Sequence, residues 1–155
     1  MVKMNVIDEA VIDGSPLEVY KAIIDEYSGI TSWWMPHLEF KPRENKPFNC
    51  EDAICDVAAH GAGMTGKFSI KLTNLEEAKL IEFDYSGDFI GTGNWTFEPM
   101  DGKTKVQSRL NVKTNKLIFS LVAPFMRNPA KPHSDAFKKG MKALNSYLSK
   151  KNSVQ

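Results

Sequence analysis

The sequence has few of the features that mark specialised classes of protein. Its 155 residues contain only two cysteines, Cys50 and Cys55, which are too few for a disulfide framework and lack the second ligand pair of a zinc site. Lys and Arg number 20 against 19 Asp and Glu, so no charge excess favours a nucleic acid or an anionic membrane. No apolar run approaches the roughly 20 residues that span a bilayer. We therefore expect no metal, no nucleic-acid partner and no stable membrane insertion.

The beginning of the chain shows no targeting segment. In MVKMNVIDEAV, acidic residues interrupt the run before it reaches the apolar length of a signal peptide. Together with two thiols that we expect to be reduced, this predicts a cytoplasmic protein. We find neither an internal repeat nor a linker, so the sequence predicts one domain over residues 1–150 and a frayed polar tail over residues 151–155.

The first elements are a strand and a helix start. Residues 5–12 are rich in β-branched side chains, as a strand requires. Ser15 then suits a helix N-cap, Pro16 suits the first helical position, and Glu18 completes a capping box. We predict a short helix after this cap and a second short helix over residues 30–34.

Strand patterns dominate the middle of the chain. Apolar and polar residues alternate, or β-branched residues cluster, over residues 38–42, 53–59, 67–72, 81–86, 94–98 and 106–113. A Met-Asp-Gly-Lys sequence at residues 100–103 predicts a hairpin between the last two of these strands. Because apolar and polar side chains alternate along the clear strands, one face of the sheet should be covered by other parts of the protein and the other face exposed to solvent.

The apolar period becomes helical near the end. Apolar residues recur at helical spacing over 117–126, where Pro124 interrupts them, and again over 133–148. The sequence thus predicts an α+β helix-grip fold. In this fold we expect a curved antiparallel sheet of about seven strands, two short helices after strand 1 and a long C-terminal helix that lies over the sheet. Such a bent sheet leaves room for a cavity under the helix, unless bulky residues close it into a solid core.

Three segments resemble the START-like, or SRPBCC, superfamily, which includes polyketide cyclase/dehydrase and lipid transport proteins and the birch-pollen-allergen-like proteins. They are VIDGSPLEVYKAIIDEYSGITSWWMP at 11–36, GTGNWTFEPMDGKTKVQSRLNV at 91–112 and PHSDAFKKGMKALNSYL at 132–148. The resemblance implies a helix-grip fold. It implies no single chemistry, because such proteins carry lipids, bind hormones, cyclise polyketides or assist other proteins.

The residues expected to line a cavity are aromatic or lie on the stripe of the last helix. They are Trp33, Trp34, Phe68, Phe83, Tyr85, Trp95, Phe97, His133, Phe137 and Met141. Ligand pockets are commonly lined by such side chains, although the same residues would also serve as ordinary core.

Three polar residues are candidates for acid–base catalysis: Tyr85, His60 and Asp56. Asp56 and His60 share one face of a strand, but four residues along a strand is about 13 Å, too far for direct contact. The sequence does not decide which face of residues 53–60 is inside.

Three functions remain open. The first is the binding of a small hydrophobic molecule, such as a lipid or a polyketide-like or aromatic compound, without a cofactor. The second is a cyclase/dehydrase-type enzyme acting on a polyketide-like substrate. The third is a protein-partner module that uses Trp33, Trp34 and Phe125. A monomer and a homodimer are both compatible with the sequence.

Overall fold

A computed structural model of the chain describes residues 2–61, 64–114 and 131–153. The apolar segment predicted to be helical over 117–126 lies outside these residues, and so does Phe125 of the partner hypothesis.

Seven strands form one antiparallel sheet, as the alternating pattern predicts. They are β1 Val2–Ile12, β2 Leu38–Pro42, β3 Ile54–Gly61, β4 Met64–Glu76, β5 Leu80–Gly87, β6 Phe89–Met100 and β7 Lys103–Thr114. Their spatial order is β1-β7-β6-β5-β4-β3-β2. Each strand from β2 to β7 therefore lies beside its neighbour in sequence, and β1 closes against the last strand.

Two α-helices accompany the sheet in the described residues. Helix α1 spans Pro16–Tyr27 and begins at the predicted cap, where the Ser15 hydroxyl accepts a hydrogen bond from the Glu18 amide. Helix α2 spans Lys131–Ser153, three residues beyond the predicted domain end. A short 3-10 turn covers Arg43–Asn45. No helix in these parts of the chain is both long and apolar enough to cross a membrane.

The predicted second short helix is replaced by a loop. Residues 33–37 form turns rather than a helix. The physical reason is local, because the backbone N–H groups of Trp33 and Trp34 donate to the Glu26 side chain. The Glu26 carboxylate thus satisfies both amides in the turn conformation, without helical hydrogen bonds.

The structure settles the facing of β3. Cys55 and Val57 are buried on the concave side, whereas Asp56 and His60 lie on the outer side. The outer side also carries Ile7 of β1, which is 53% exposed. The concave face is therefore the apolar face along the sheet, and α2 packs across it.

Helix α2 approaches the side chain of Trp34 closely at Gly140. A Cβ atom built there would overlap Cε2 of the Trp34 ring, far inside van der Waals contact. Because Gly140 has no side chain, the indole of Trp34 can pack directly against the backbone of α2.

Replacing this glycine tests the contact. In an unobstructed helix, Gly to Ala stabilises by about 1 kcal/mol. Here we expect Gly140→Ala to destabilise the protein by about 1–3 kcal/mol, because the new methyl overpacks a rigid ring. Urea unfolding followed by circular dichroism measures the difference. Ser146→Ala, at an exposed position of the same helix, should be neutral or slightly stabilising. A stabilising Gly140→Ala would contradict the position of Trp34.

Candidate ligand site

The loop after α1 is organised by one buried carboxylate. Glu26 is 1% exposed, and its Oε1 accepts from the Thr31 hydroxyl at 2.7 Å and from the Trp33 amide at 3.1 Å. Its Oε2 accepts from the Trp34 amide at 2.9 Å. A buried charge is tolerated only when it is well paired by hydrogen bonds, so these three donors and Glu26 depend on one another.

The loop sends Trp34 into the interior. Its indole N–H donates to the carbonyl of Ala136 in α2 at 3.1 Å, and its ring meets that of Trp95 edge-on at 6.1 Å. Trp33 stays half-buried and stacks on Trp34 at 5.3 Å. The two neighbouring tryptophans thus have different positions: Trp34 joins sheet and helix, and Trp33 covers it from outside.

Trp95 completes the filled part of the interior. Its indole N–H donates to the Tyr27 hydroxyl at 2.8 Å, and its ring stacks on Phe137 of α2 at 5.8 Å. Burial raises the pKa of Tyr27 well above its usual value, so its phenol stays protonated. Trp34, Trp95 and Phe137 therefore fill the space between the middle of the sheet and α2.

A second group of aromatic rings occupies the other end of the concave face. Phe68, Tyr85 and Phe89 are half-buried, and the Phe68 ring lies 5.3 Å from Tyr85 and 5.4 Å from Phe89. Two glycines make room, since a Cβ at Gly93 would lie 2.7 Å from Tyr85 and one at Gly66 would lie 3.1 Å from Phe89. We refer to Phe68, Tyr85 and Phe89 as the aromatic trio.

Tyr85 gives the aromatic trio a polar group. Burial raises the pKa of its phenol above the usual value, so the hydroxyl remains a hydrogen-bond donor at every physiological pH. No described residue forms a hydrogen bond with this hydroxyl. Its ring packs against the main core and also against a smaller apolar cluster of Met4, Val6, Leu110 and Val112. Within the described residues, the site therefore combines apolar walls with one hydroxyl donor that has no hydrogen-bond partner.

A polar pair stands on the same face at the start of α2. Nδ1 of His133 lies 3.2 Å from Oδ2 of Asp8, and the two side chains are 30% and 14% exposed. The hydrogen bond from His133 is the main cause that lowers the pKa of Asp8, and a hydrogen bond from Ser134 adds to it. Asp8 is not among the predicted site residues, although it shares the strand parity of the inward residues Val6 and Ala10.

The other acid–base candidates lie away from the interior. The Asp56 carboxylate pairs with the Arg43 guanidinium at 2.8 Å and accepts from the Ser69 hydroxyl at 2.6 Å. Nδ1 of His60 lies 3.1 Å from the Thr65 hydroxyl. Asp56 and His60 are engaged on the outer face, so neither belongs to the candidate ligand site.

The remaining predicted lining residues are core. Phe83, Phe97 and Met141 are 3%, 6% and 3% exposed, and Phe97 packs edge-on against Tyr20 at 5.8 Å. They form the walls behind the more accessible rings. Phe89 was not among the predicted residues, because its segment alternates with glycines and shows no clear strand pattern.

The described residues of the site provide no activated thiol and no metal centre. Burial raises the pKa of the inward thiol of Cys55 to about 12, so it is protonated and unreactive. Both cysteines are free. Among the residues that the structure describes, no group of three His, Cys, Asp or Glu side chains is placed to hold a metal ion.

Comparisons with known proteins define the fold. No family model and no curated protein matches the sequence. The structure is similar to that of Ara h 8.0201, with a TM-score of 0.67 and 17% identity over 96% of this chain and 99% of that one. It is also similar to a START superfamily protein from Mycobacterium smegmatis, with a TM-score of 0.67 and 14% identity over 94% and 97%.

A third similar structure comes from an enzyme system. The di-domain ARO/CYC BexL from the BE-7585A biosynthetic pathway has a TM-score of 0.65 and 15% identity, over 93% of this chain and 49% of that one. At such low identities, these likenesses establish the fold alone. They confirm the helix-grip fold, which is the fold that the resemblance to the START-like, SRPBCC superfamily implies.

The buried carboxylate can be tested directly. Glu26→Gln would place an amide N–H₂ against either the Trp34 amide or the Thr31 and Trp33 donors. We expect a loss of about 2–3 kcal/mol in unfolding free energy, because buried donors are left unpaired. Glu98→Gln, at an exposed position of β6, is the matched control and should change stability by less than about 0.5 kcal/mol. Equal stability of both variants would contradict the organising role of Glu26.

The Asp8 pair predicts a pH dependence of stability. The folded-state pKa of Asp8 lies below its ordinary 3.8, so its interaction stabilises the protein above that pH and is lost as the pH falls through the folded value. We expect Asp8→Asn to cost about 1 kcal/mol at pH 7. The cost should decrease as the pH falls below 3.8, and it should be smaller at pH 3 than at pH 7.

Urea unfolding of both proteins between pH 3 and 7 measures this difference. Asp13→Asn is the control, because Asp13 forms an exposed ion pair with Lys103 whose side chains are 69% and 55% exposed. Its effect should stay near zero at every pH. A cost of Asp8→Asn that is the same at pH 3 and pH 7 would show that Asp8 is not the titrating group.

Proposed function

We propose that the protein binds a small, mostly hydrophobic ligand against the aromatic trio, on the concave face of the sheet. The ligand class is a lipid, a polyketide-like molecule or another compound with an aromatic ring. One observation carries the proposal: Tyr85 lies among half-buried rings and presents a hydroxyl that has no hydrogen-bond partner in the described residues. Pockets with this composition take up apolar ligands and orient them through a few polar groups.

The packing of the interior supports this location. The space between the middle of the sheet and α2 is already filled by Trp34, Trp95 and Phe137. The indole N–H groups of both tryptophans are paired with protein acceptors. A ligand there would have to displace packed rings and break those hydrogen bonds. Against the aromatic trio, a ligand would gain ring contacts and supply an acceptor for Tyr85.

The expected setting is a single domain that acts in the cytoplasm on a small molecule. A cyclase/dehydrase-type enzyme acting on a polyketide-like substrate is the second candidate, favoured by the pairing of His133 with Asp8 and by the likeness to an ARO/CYC protein. The partner-module hypothesis loses support, because Trp34 is 4% exposed and faces the interior.

Two matched probes test the proposal. 2-Acetylnaphthalene has a carbonyl that can accept from Tyr85, and 2-ethylnaphthalene has the same shape without an acceptor. We expect both to bind, and Tyr85→Phe to weaken the ketone about 5–10-fold because one hydrogen bond is worth about 1–1.5 kcal/mol. The affinity of the hydrocarbon should not change. Titrations followed by two-dimensional NMR of the aromatic side chains give both affinities and locations.

Ile90→Ala is the matched control, since Ile90 adjoins Phe89 in β6 but is 53% exposed. It should leave both affinities unchanged. If neither probe binds at millimolar concentration, or if signals from the aromatic trio do not move on binding, the proposed site is wrong.

A further inference from the structure

Helix α2 concentrates the positive charge of the molecule. It contains six lysines and one aspartate, whereas the rest of the chain contains 14 Lys and Arg against 18 Asp and Glu. The near-neutral total of the sequence therefore combines a strongly basic helix with a mildly acidic remainder. Because charged groups attract a partner through their local field, the distribution of charge matters more here than its sum.

Five of these lysines lie along one exposed side of α2. With 3.6 residues per turn, they fall within an arc of about 120°, and at 1.5 Å per residue they extend over about 28 Å. We call them the lysine stripe: Lys131, Lys138, Lys139, Lys142 and Lys150, all of which are exposed. The opposite side of the helix packs into the core through Phe137, Met141, Leu144 and Leu148. The lysine stripe therefore faces away from the core.

The stability of the helix does not explain the lysine stripe. Lys131 pairs with Asp135 at 2.7 Å, but the other four lysines form no ion pair with a described residue. Lys142 lies four residues after Lys138 and three after Lys139, and like charges at these spacings destabilise a helix. The helix dipole favours lysines in the last turn, whereas these three lie in the middle. An anionic partner would make this cluster favourable.

An exposed apolar edge adjoins the lysine stripe. The loop after α1 is held to α2 by the Trp34 indole, which donates to the Ala136 carbonyl. Ala136 precedes Lys139 by three residues, so the two are neighbours on the helix surface. Met35 follows Trp34 directly and is 48% exposed, and the half-buried Trp33 stacks on Trp34. Tryptophan is enriched where proteins meet the lipid–water interface.

We propose that the lysine stripe docks the protein reversibly on a lipid surface that carries negative charge. This inference goes beyond the proposed ligand site and stands without it. Each lysine near such a surface strengthens binding about five-fold, so the four lysines without an ion pair supply a preference of several hundred-fold over a neutral surface. The apolar side of α2 stays buried in the core, so the protein rests on the lipid and does not insert into it.

The chemistry of the surface favours lipid over nucleic acid. Helix α2 contains no arginine, the residue that pairs best with individual phosphate groups. Lysines act as point charges and suit the diffuse negative charge of a membrane. A lipid surface also offers an apolar layer to Trp33 and Met35, which a nucleic-acid backbone does not.

Vesicles of defined charge test the docking. One set contains phosphatidylcholine alone, and the other includes about 30% phosphatidylserine, which makes the surface negative. At about 50 mM NaCl, we expect the intact protein to bind the anionic set at least about 100-fold more strongly, as measured by co-sedimentation. Raising the salt to about 300 mM should weaken this binding at least about 10-fold, because screening shortens the range of the attraction.

A triple variant identifies the surface that binds. Combining Lys138→Gln, Lys139→Gln and Lys142→Gln should weaken binding to the anionic vesicles about 100-fold, at about five-fold for each lysine. The matched control has the same net charge and replaces by Gln three exposed lysines outside α2, namely Lys41, Lys67 and Lys79. It should stay within about three-fold of the intact protein, since these lysines lie outside the stripe. Circular dichroism checks that both variants are folded.

The apolar edge is tested separately. Met35→Ser should weaken binding to the anionic vesicles about five-fold, because an apolar side chain no longer enters the interface. Ile7→Ser is the matched control, since Ile7 is 53% exposed but lies on the outer face of β1, and it should leave the binding unchanged.

The outcomes separate the possible partners. Binding to anionic vesicles that is lost in the α2 triple variant and kept in its control supports the proposal. Equal binding of both vesicle sets, or equal losses in both triple variants, overturns it. Tighter binding to a DNA duplex of about 20 base pairs, at equal phosphate and salt concentrations, overturns the lipid assignment. If the triple variant does not fold, Lys142→Gln alone decides through its expected loss of about five-fold. The naphthalene probes test the ligand site independently of these results.

Discussion

The buried carboxylate of Glu26 is the constraint on which the interior depends. It accepts three hydrogen bonds from Thr31, Trp33 and Trp34. These bonds fix the conformation of the loop that follows α1. A charge at this depth would be strongly unfavourable without these donors. The donors in turn would be buried and unpaired without the carboxylate, so the loop has one stable arrangement and it delivers Trp34 to α2.

This arrangement divides the concave face into two regions. In the first, Trp34, Trp95 and Phe137 join sheet to helix, and their polar N–H groups are satisfied by Ala136 and Tyr27. In the second, the hydroxyl of Tyr85 in the aromatic trio has no hydrogen-bond partner among the described residues. The contrast between satisfied and unsatisfied polar groups is what locates the proposed site.

Much of the fold follows from local patterns. The alternation of β5 and the apolar stripe of α2 predict both elements and their buried faces, because each pattern has the period of its element. The site is less predictable from the sequence, because it depends on contacts between residues that are far apart in the chain. Nothing near Gly140 indicates that Trp34 will lie against it. In β3 the residues on both faces are similarly apolar, so only pairing with β4 decides that Asp56 faces outward. For Asp8 the two signals disagree. Its position in the alternation of β1 predicts the inward face, whereas its charge alone predicts the solvent-exposed face.

The exchange of the three indole N–H protons with solvent tests the division of the interior most directly. Hydrogen–deuterium exchange followed by ¹H–¹⁵N NMR resolves one signal for each tryptophan. The account predicts strong protection for Trp34 and Trp95, whose side chains are buried and bonded to Ala136 and Tyr27. It predicts faster exchange for Trp33, whose indole N–H donates to the Ala22 carbonyl at the longer distance of 3.3 Å and whose side chain is only half-buried. Rapid exchange of the Trp34 indole in the unmodified protein, with Trp95 protected, would show that Trp34 does not join sheet to helix and would contradict the account.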